Sequence, residues 1–265
     1  MGKLDGKTAI VTGAAQGLGE GIARRFAGEG ATTIIVDRTD ASELAAELPL
    51  SSAGKKATAV VADVTDRAMA EMVIAEAVGR HGRLDILVNN AGTYHVRNLI
   101  DETVESFRQQ FEVNTYAVFA WSRAAARNMR DQGWGRIINT SSQLGKVARE
   151  GYGIYSASKA AVILLTQALA LELGPYGVTA NAICPGTMAT QLLSTADGRP
   201  GMEYAAELGV DLDTAFRDYV ADRIPVGRLG VPGDIGALAA FLASDDGGFI
   251  TGAALNLTGG EQVFF

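Results

Sequence analysis

Cysteine occurs once and histidine twice in 265 residues, and these two shortages remove large classes of chemistry. Cys184 lies between Ile183 and Pro185 in an apolar, strand-like run. With no second cysteine, a disulfide framework and a thiolate metal cluster are excluded, and a buried, inert thiol is expected. His81 and His95 stand in no metal-ligand spacing, so no metal site is expected. Proline is scarce at six residues, and no Pro/Ser-rich linker, low-complexity tract or internal repeat divides the chain. No run of about 18 uninterrupted apolar residues occurs, so no segment is expected to span a bilayer. Basic residues are outnumbered, 23 Lys+Arg against 30 Asp+Glu, for a net charge of −7. They are scattered rather than banked, which argues against nucleic acid and anionic membrane surfaces as partners. The polar stretch Met1 to Lys7 leads straight into a strand-like run, and Gly6 stands where acylation of Gly2 needs a hydroxyl. No secretory, transit or acyl signal is therefore expected, and the expected compartment is cytoplasmic.

Hydrophobic residues make up 48% of the chain. That suffices for one sizeable core, and residues 1–265 read as a single domain. Thr8–Thr12 is a β-rich run ending in glycines, and from Gly17 an amphipathic pattern continues through Ile22, Ala23 and Phe26 to Gly28 and Gly30. Further strand-like runs are Thr32–Val36, Ala57–Val61, Asp85–Val88, Arg136–Thr140, Val178–Ile183 and Ala254–Leu257. Helical patterns fall at 40–48, 67–81, 103–112, 113–130, 153–173 and 232–243; in the second, Met69, Met72, Val73 and Ala77 are expected to face inward. Strands alternating with helices of ten or more residues imply right-handed βαβ units. The fold class is therefore α/β: a doubly wound, Rossmann-like parallel sheet of about seven strands with helices on both faces. Residues 188–225 loosen the pattern. They follow a strand's carboxyl end and carry the turn signal Asp197–Gly201 between two short amphipathic pieces, so they read as a lid over a ligand crevice.

Three motifs carry chemistry. Thr12-Gly13-Ala14-Ala15-Gln16-Gly17-Leu18-Gly19 joins the first strand to the first helix, where glycines let the backbone approach a pyrophosphate resting on the helix N-terminus. Asp37 closes the second strand, 18 residues past Gly19. A carboxylate there accepts the ribose hydroxyls of adenosine and repels a 2′-phosphate, favouring NAD over NADP, with Arg38 pulling the other way. Tyr155-Ser156-Ala157-Ser158-Lys159 sets a phenol and an ammonium four apart on one helix face. A tyrosine titrates near roughly pH 10 unperturbed; the lysine, aided by a cationic cofactor ring, is expected to lower that value and make a base. Tyr152 has Ser156, rather than a cation, at the same offset.

Thr12-Gly13-x-x-x-Gly17-x-Gly19, Asp63-Val64, Asn89-Asn90-Ala91-Gly92, Asn114, Ser142, Tyr155-x-x-x-Lys159 and Pro185-Gly186 stand in the order and at the separations of the short-chain dehydrogenase/reductase family. The chain resembles that family from about residue 5 to 262. The resemblance implies hydride transfer between NAD(H) and a secondary alcohol or ketone, with four catalytic residues. Tyr155 is then the general acid/base, Lys159 lowers its pKa and holds the nicotinamide ribose, Ser142 hydrogen-bonds the substrate oxygen, and Asn114 anchors a water beside Lys159. Ser141 competes with Ser142, but strand alternation points it away and the family's separation of thirteen to the tyrosine selects Ser142. By the same resemblance the cofactor meets Gly13, Gln16, Gly17, Leu18 and Gly19 at the turn, and Asp37, Asp63 and Val64 around the adenosine. It meets Asn90, Ala91 and Gly92 after the fourth strand, then Tyr155 and Lys159, and Pro185, Gly186, Met188 and Thr190 at the nicotinamide. By position, Ser142, Gln143, Tyr152, Tyr94 and Leu192 line the substrate pocket, with His95, Met188 and Glu150 as further neighbours. Aromatics, an amide and few charges suit a small or medium alcohol, polyol or ketone. Trp121 and Trp134 are expected in the core or an interface. In the family an apolar end such as Val263-Phe264-Phe265 often packs in a dimer or tetramer interface, and a homotetramer is expected. The rival reading is a catalytically silent NAD-binding regulator or scaffold on the same fold.

Overall fold

Seven runs rich in β-branched and aliphatic residues form strands: β1 (Thr8–Thr12), β2 (Thr32–Asp37), β3 (Thr58–Val61), β4 (Ile86–Asn89), β5 (Gly135–Thr140), β6 (Val178–Pro185) and β7 (Ala254–Leu257). They belong to a computed structural model that describes residues 2–190 and 212–263. The helices are α1 (Gly17–Gly28), α2 (Ser42–Glu47), α3 (Arg67–His81), α4 (Val104–Phe111), α5 (Ala117–Gln132), α6 (Gly153–Leu173), α7 (Leu212–Arg223) and α8 (Pro232–Ala243). All pairings among the seven strands are parallel, in the order β3-β2-β1-β4-β5-β6-β7. The chain builds outward from β1 to β3, then returns to lay β4 against the other side of β1. That reversal opens a crevice at the strands' carboxyl ends, where ligands bind in such sheets.

Side-chain alternation divides the core into two layers. Ala9 and Val11 of β1 pack with Ile22 and Phe26 of α1 and Ile235 of α8 on one face, whereas Ile10 joins Val73 of α3 and Trp121 and Met129 of α5 on the other. Both faces are covered, which is why the central strands are mostly apolar. Trp121 is fully buried, and its indole N–H reaches Val64 O at 3.2 Å. Trp134 lies under two cations, Lys7 Nζ at 3.5 Å and Arg136 Cζ at 4.3 Å from its ring centre.

Two expectations need correction. Met72 is 54% exposed; α3 buries Ala70, Val73, Ile74 and Ala77 instead. Those positions form one stripe, and Met72 falls about 100° away from Val73 on the helix. The two separate helices expected at 103–112 and 113–130 are one continuous rod, joined by a π-helical turn at Glu112–Tyr116. The extra residue in that turn rotates the chain without breaking it and brings Asn114 into the interior. The segment Gly153–Tyr176 is also long and apolar enough to cross a bilayer, with mean hydropathy 1.5. Ser, Thr and Lys interrupt it, which is why no unbroken apolar run marks it in the sequence. Here it lies on the sheet, with Lys159, Val162, Thr166 and Ala170 buried.

A chain of polar side chains crosses the layer between sheet and helices. Asn89 Nδ2 of β4 donates to Ser122 Oγ of α5 (2.9 Å) and to Asn139 Oδ1 of β5 (2.8 Å). Asn139 Nδ2 then donates to Thr166 Oγ1 of α6 (2.9 Å), which donates to Val162 O (2.7 Å). All four side chains are buried, and the network keys two strands to two helices in one register. Asn139→Ala strands the polar groups on either side of it. It is expected to cost about 2–3 kcal/mol, seen as a lower urea midpoint at unchanged slope.

Candidate active site

A cleft of ≈ 1240 Å³ runs along the carboxyl ends of the strands. At one end, the turn after β1 holds Gly13 and Gly17 at φ 61° and 62°, a left-handed conformation that favours glycine. A Cβ on Gly13 would lie 2.6 Å from Ala91 Cα, so the turn packs directly on the chain leaving β4. Asn90 braces it from behind. Its Nδ2 donates to Thr12 O (3.1 Å) and Gly13 O (2.9 Å), and its backbone N–H donates to Thr12 Oγ1 (3.0 Å). Gly13, Gln16, Gly17 and Leu18 line the cleft. Gly19 does not; it is buried, and a Cβ there would collide with Gly13 O and Asn90 Nδ2. Gln16 precedes α1 without capping it by its side chain, which leaves the first-turn N–H groups without an intrahelical acceptor.

Asp37 and Asp63 follow along this wall. Asp37 accepts the N–H groups of Ala15 and Thr39, both at 3.0 Å. Asp63 accepts the Thr65 N–H at 2.9 Å and the Thr65 hydroxyl at 2.7 Å. Those two bonds hold its carboxyl below the usual carboxylate range. Val64 beside it is fixed by the Trp121 indole.

At the other end, β5 and α6 deliver the reactive side chains. Lys159 is buried, 3% exposed, and its Nζ donates to Thr140 O at 2.8 Å. The same Nζ lies 5.8 Å from the Tyr155 ring centre. Successive serines part ways, as strand alternation requires: Ser141 Oγ donates to Lys159 O (2.8 Å), while Ser142 Oγ accepts the Leu144 N–H (3.1 Å) and interacts with the Tyr155 hydroxyl. Tyr94 sets its ring 5.7 Å from that of Tyr155 and 6.0 Å from that of Tyr152. Gln143 and Glu150 also line this end.

The electrostatic balance differs from the sequence expectation. Burial pushes the Tyr155 phenol up to about 12, and the hydrogen bond with Ser142 is what opposes it. Burial likewise pulls Lys159 down to about 8. For Tyr155 burial outweighs the Ser142 hydrogen bond, and for Lys159, whose Nζ lies 5.8 Å from the tyrosine's ring centre, burial is again the largest cause.

Asn114 stands behind the cleft wall, fully buried. Its Oδ1 accepts the Thr93 N–H (2.9 Å), and its Nδ2 donates to Thr93 O (2.8 Å) and Ser158 Oγ (3.0 Å). A Cβ on Gly92 would sit 3.3 Å from both Asn114 Oδ1 and Lys159 Nζ, so the two polar groups flank one glycine. Ala91, Gly92, Pro185, Gly186, Met188 and Thr190 line the cleft as expected. His95 is exposed and does not line it. Leu192 and most of the proposed lid lie outside the described residues, as do Phe264 and Phe265; Val263 is exposed. Thr187, Tyr219, Arg223 and Glu261 also line the cleft. Thr187 sits within the Pro185–Thr190 segment, and Tyr219 and Arg223 within the proposed lid; Glu261 is announced by no motif, and only folding makes the four neighbours.

Residues 7–199 match the family model described as short chain dehydrogenase. The chain belongs to the short-chain dehydrogenase family. It is an oxidoreductase of that family, whose members use NAD(P). Its relatives include the oxidoreductase UcpA of Salmonella typhimurium, 40% identical over 264 residues, covering 99% of this chain and 97% of that protein. The L-2,3-butanediol dehydrogenase of Corynebacterium glutamicum is 38% identical, over 96% of this chain and 98% of that protein. The D-beta-hydroxybutyrate dehydrogenase of Cupriavidus necator is 37% identical, over 97% and 98%.

The buried lysine gives a stability test. Its pKa falls from 10.5 unfolded to about 8 folded, so between those values the unfolded chain holds more protons and wild-type stability climbs with pH. Lys159→Met removes that climb. The stability of the variant relative to wild type is expected to be greatest below about pH 8 and to shrink as pH rises to about 10.5, measured by urea unfolding across that range. A pH-independent difference would contradict the shifted lysine.

Proposed function

We propose that this oxidoreductase transfers a hydride between NAD(H) and a secondary alcohol or ketone, with Tyr155 as the general acid/base. The observation that carries the reading is the meeting of the Tyr155 and Ser142 hydroxyls in the cleft wall with the buried Lys159 behind them. Hydride transfer to a carbonyl leaves a developing alkoxide, and two hydroxyl donors aimed at one spot meet that need. NAD, when bound, supplies the hydride acceptor and a positively charged ring.

In reduction, the high pKa of Tyr155 keeps its proton in place for delivery to the nascent alkoxide, while Ser142 donates a hydrogen bond to the same oxygen. In alcohol oxidation, Tyr155 acts as the phenolate, accepts the hydroxyl proton and becomes a neutral phenol. That phenolate, the same species that reduction leaves behind, needs positive charge nearby, and Lys159 is the protein's contribution. Asn114 holds the chain leaving β4 against α6 and so fixes the spacing of Lys159 from the cleft wall. Its neighbourhood to Lys159 supports the reading in which it anchors a water beside that ammonium.

Asp37 at the rim supports NAD over NADP, since a carboxylate at the end of β2 disfavours a 2′-phosphate. Gly13, Gln16, Gly17 and Leu18 form the pyrophosphate turn, with Gly19 holding that turn's shape. Tyr94, Tyr152, Gln143 and Ser142 form the substrate wall, and the names of the butanediol and hydroxybutyrate relatives support a small secondary alcohol or polyol. α7, which brings Tyr219 and Arg223 to the cleft, belongs to a lid. Exposed Phe107, Phe119 and Leu164 on neighbouring helices support self-association; the assembly proposed is a homotetramer and the compartment the cytoplasm.

Tyr155→Phe is expected to lower kcat by at least about 100-fold while NADH still binds. Near-normal turnover in that variant would remove Tyr155 as the acid/base. Asp37→Ala is expected to shift the kcat/KM ratio of NAD to NADP toward NADP by about ten-fold or more. Both are read as nicotinamide absorbance with a panel of alcohols, polyols and ketones. Silence of the wild type across that panel would favour the regulator reading.

A further inference from the structure

Three segments far apart in sequence meet on one carboxylate at the open side of the cleft. Glu261 Oε2 accepts the backbone N–H of Thr187, just past β6, at 2.8 Å. Its Oε1 accepts the Thr187 hydroxyl at 2.9 Å and the Tyr219 phenol of α7 at 2.5 Å. Thr187 Oγ1 and Tyr219 Oη are themselves 3.2 Å apart, closing a triangle. All three residues line the cleft. An ionised carboxylate only accepts, so one side chain gathers three donors from two other segments, and bonds to a charged acceptor are the stronger kind. The fit is tight: a Cβ on Gly186 would lie 2.7 Å from Glu261 Oε2. Tyr219 is 6% exposed, and burial followed by Glu261 pushes its phenol up to about 12, so it keeps the proton it donates. The tail is pinned beside the same helix, since Val226 N–H donates to Gly259 O at 3.1 Å.

We infer that Glu261 is a positioning residue, a latch that holds α7 and the chain after β6 against each other and thereby sets the substrate-side wall. The inference rests on the proposed reaction taking place in this cleft. The latch has two arms with different consequences. The Tyr219 arm reaches only α7, so it governs how closely that helix stands over the substrate. The Thr187 arm reaches the segment between Gly186 and Met188, which faces the nicotinamide end. Neither arm touches Tyr155, Lys159 or Ser142, so the chemical step is left intact once substrate is bound.

The test compares Tyr219→Phe, Glu261→Ala and the double variant in steady-state kinetics and in direct NADH binding by fluorescence titration. Tyr219→Phe is expected to raise KM for the alcohol about ten-fold, with kcat and NADH Kd within about two-fold of wild type. Glu261→Ala is expected to raise both KM and NADH Kd by about ten-fold, and adding Tyr219→Phe to it changes KM by less than about two-fold. A general loss of stability would not separate the two constants in this way. An unchanged KM in Tyr219→Phe, or multiplicative effects in the double variant, would overturn the latch. If Glu261→Ala does not fold, Tyr219→Phe decides alone by its split between KM and NADH Kd. If the wild type turns over nothing in the panel, the proposed reaction fails, while NADH Kd weakened by Glu261→Ala but not by Tyr219→Phe still supports the latch, and equal values overturn it.

Discussion

A lysine ammonium buried at the carboxyl end of the sheet is the constraint around which this structure is arranged. Lys159 is 3% exposed, and its ammonium donates to a backbone carbonyl, Thr140 O. Keeping a charge there is unfavourable, which is the meaning of its lowered pKa. The surroundings make the arrangement tolerable by fixing every neighbour. Ser141 is bonded to the lysine's own carbonyl, Asn114 ties the exit of β4 to Ser158, and Gly92 offers no side chain to crowd the two polar groups. A local stability cost held in place by surrounding packing is common at functional sites.

That packing depends in turn on α6 lying flat on the sheet. An apolar helix of this length buries enough surface to hold the site rigid, and the Asn89–Asn139–Thr166 chain stops it from sliding. Apolar contacts alone are tolerant of small shifts, whereas a linked set of directional bonds is not. The hydroxyls of Tyr155 and Ser142 therefore meet because two elements, β5 and α6, are keyed to one another below the site. The tail acts at the opposite wall through Glu261, where three donors converge.

Much of the fold was legible in the sequence. Alternating strand and helix periodicities led to the doubly wound sheet, since a parallel sheet covered on both faces demands apolar strands and amphipathic helices. Element positions agree closely, from Thr8–Thr12 to Ala254–Leu257. Met72 was misplaced because a weakly amphipathic helix offers two neighbouring stripes, and α3 chose the one holding small alanines. The π-helical turn at Asn114 was hidden because backbone hydrogen-bond shifts of one residue leave no mark on composition. At the site, spaced motifs named Tyr155, Lys159, Ser142 and the glycine turn. Glu261 belongs to no local pattern and stayed invisible, while Tyr219 fell inside the proposed lid with no motif to single it out.

The sequence by itself determined which functional groups are present and in what chain order: a phenol and an ammonium four apart, a glycine turn after a strand, a carboxylate at the end of β2. Those follow from local geometry, which depends on near neighbours along the chain. Only the tertiary structure decided the balance among them. Desolvation depends on the total surroundings of a group, so burial set Tyr155 up to about 12 and Lys159 down to about 8, against the simple pairwise expectation. The same holds for the carboxylate of Glu261, whose partners come from the chain just past β6 and from α7 and become neighbours only in the folded chain.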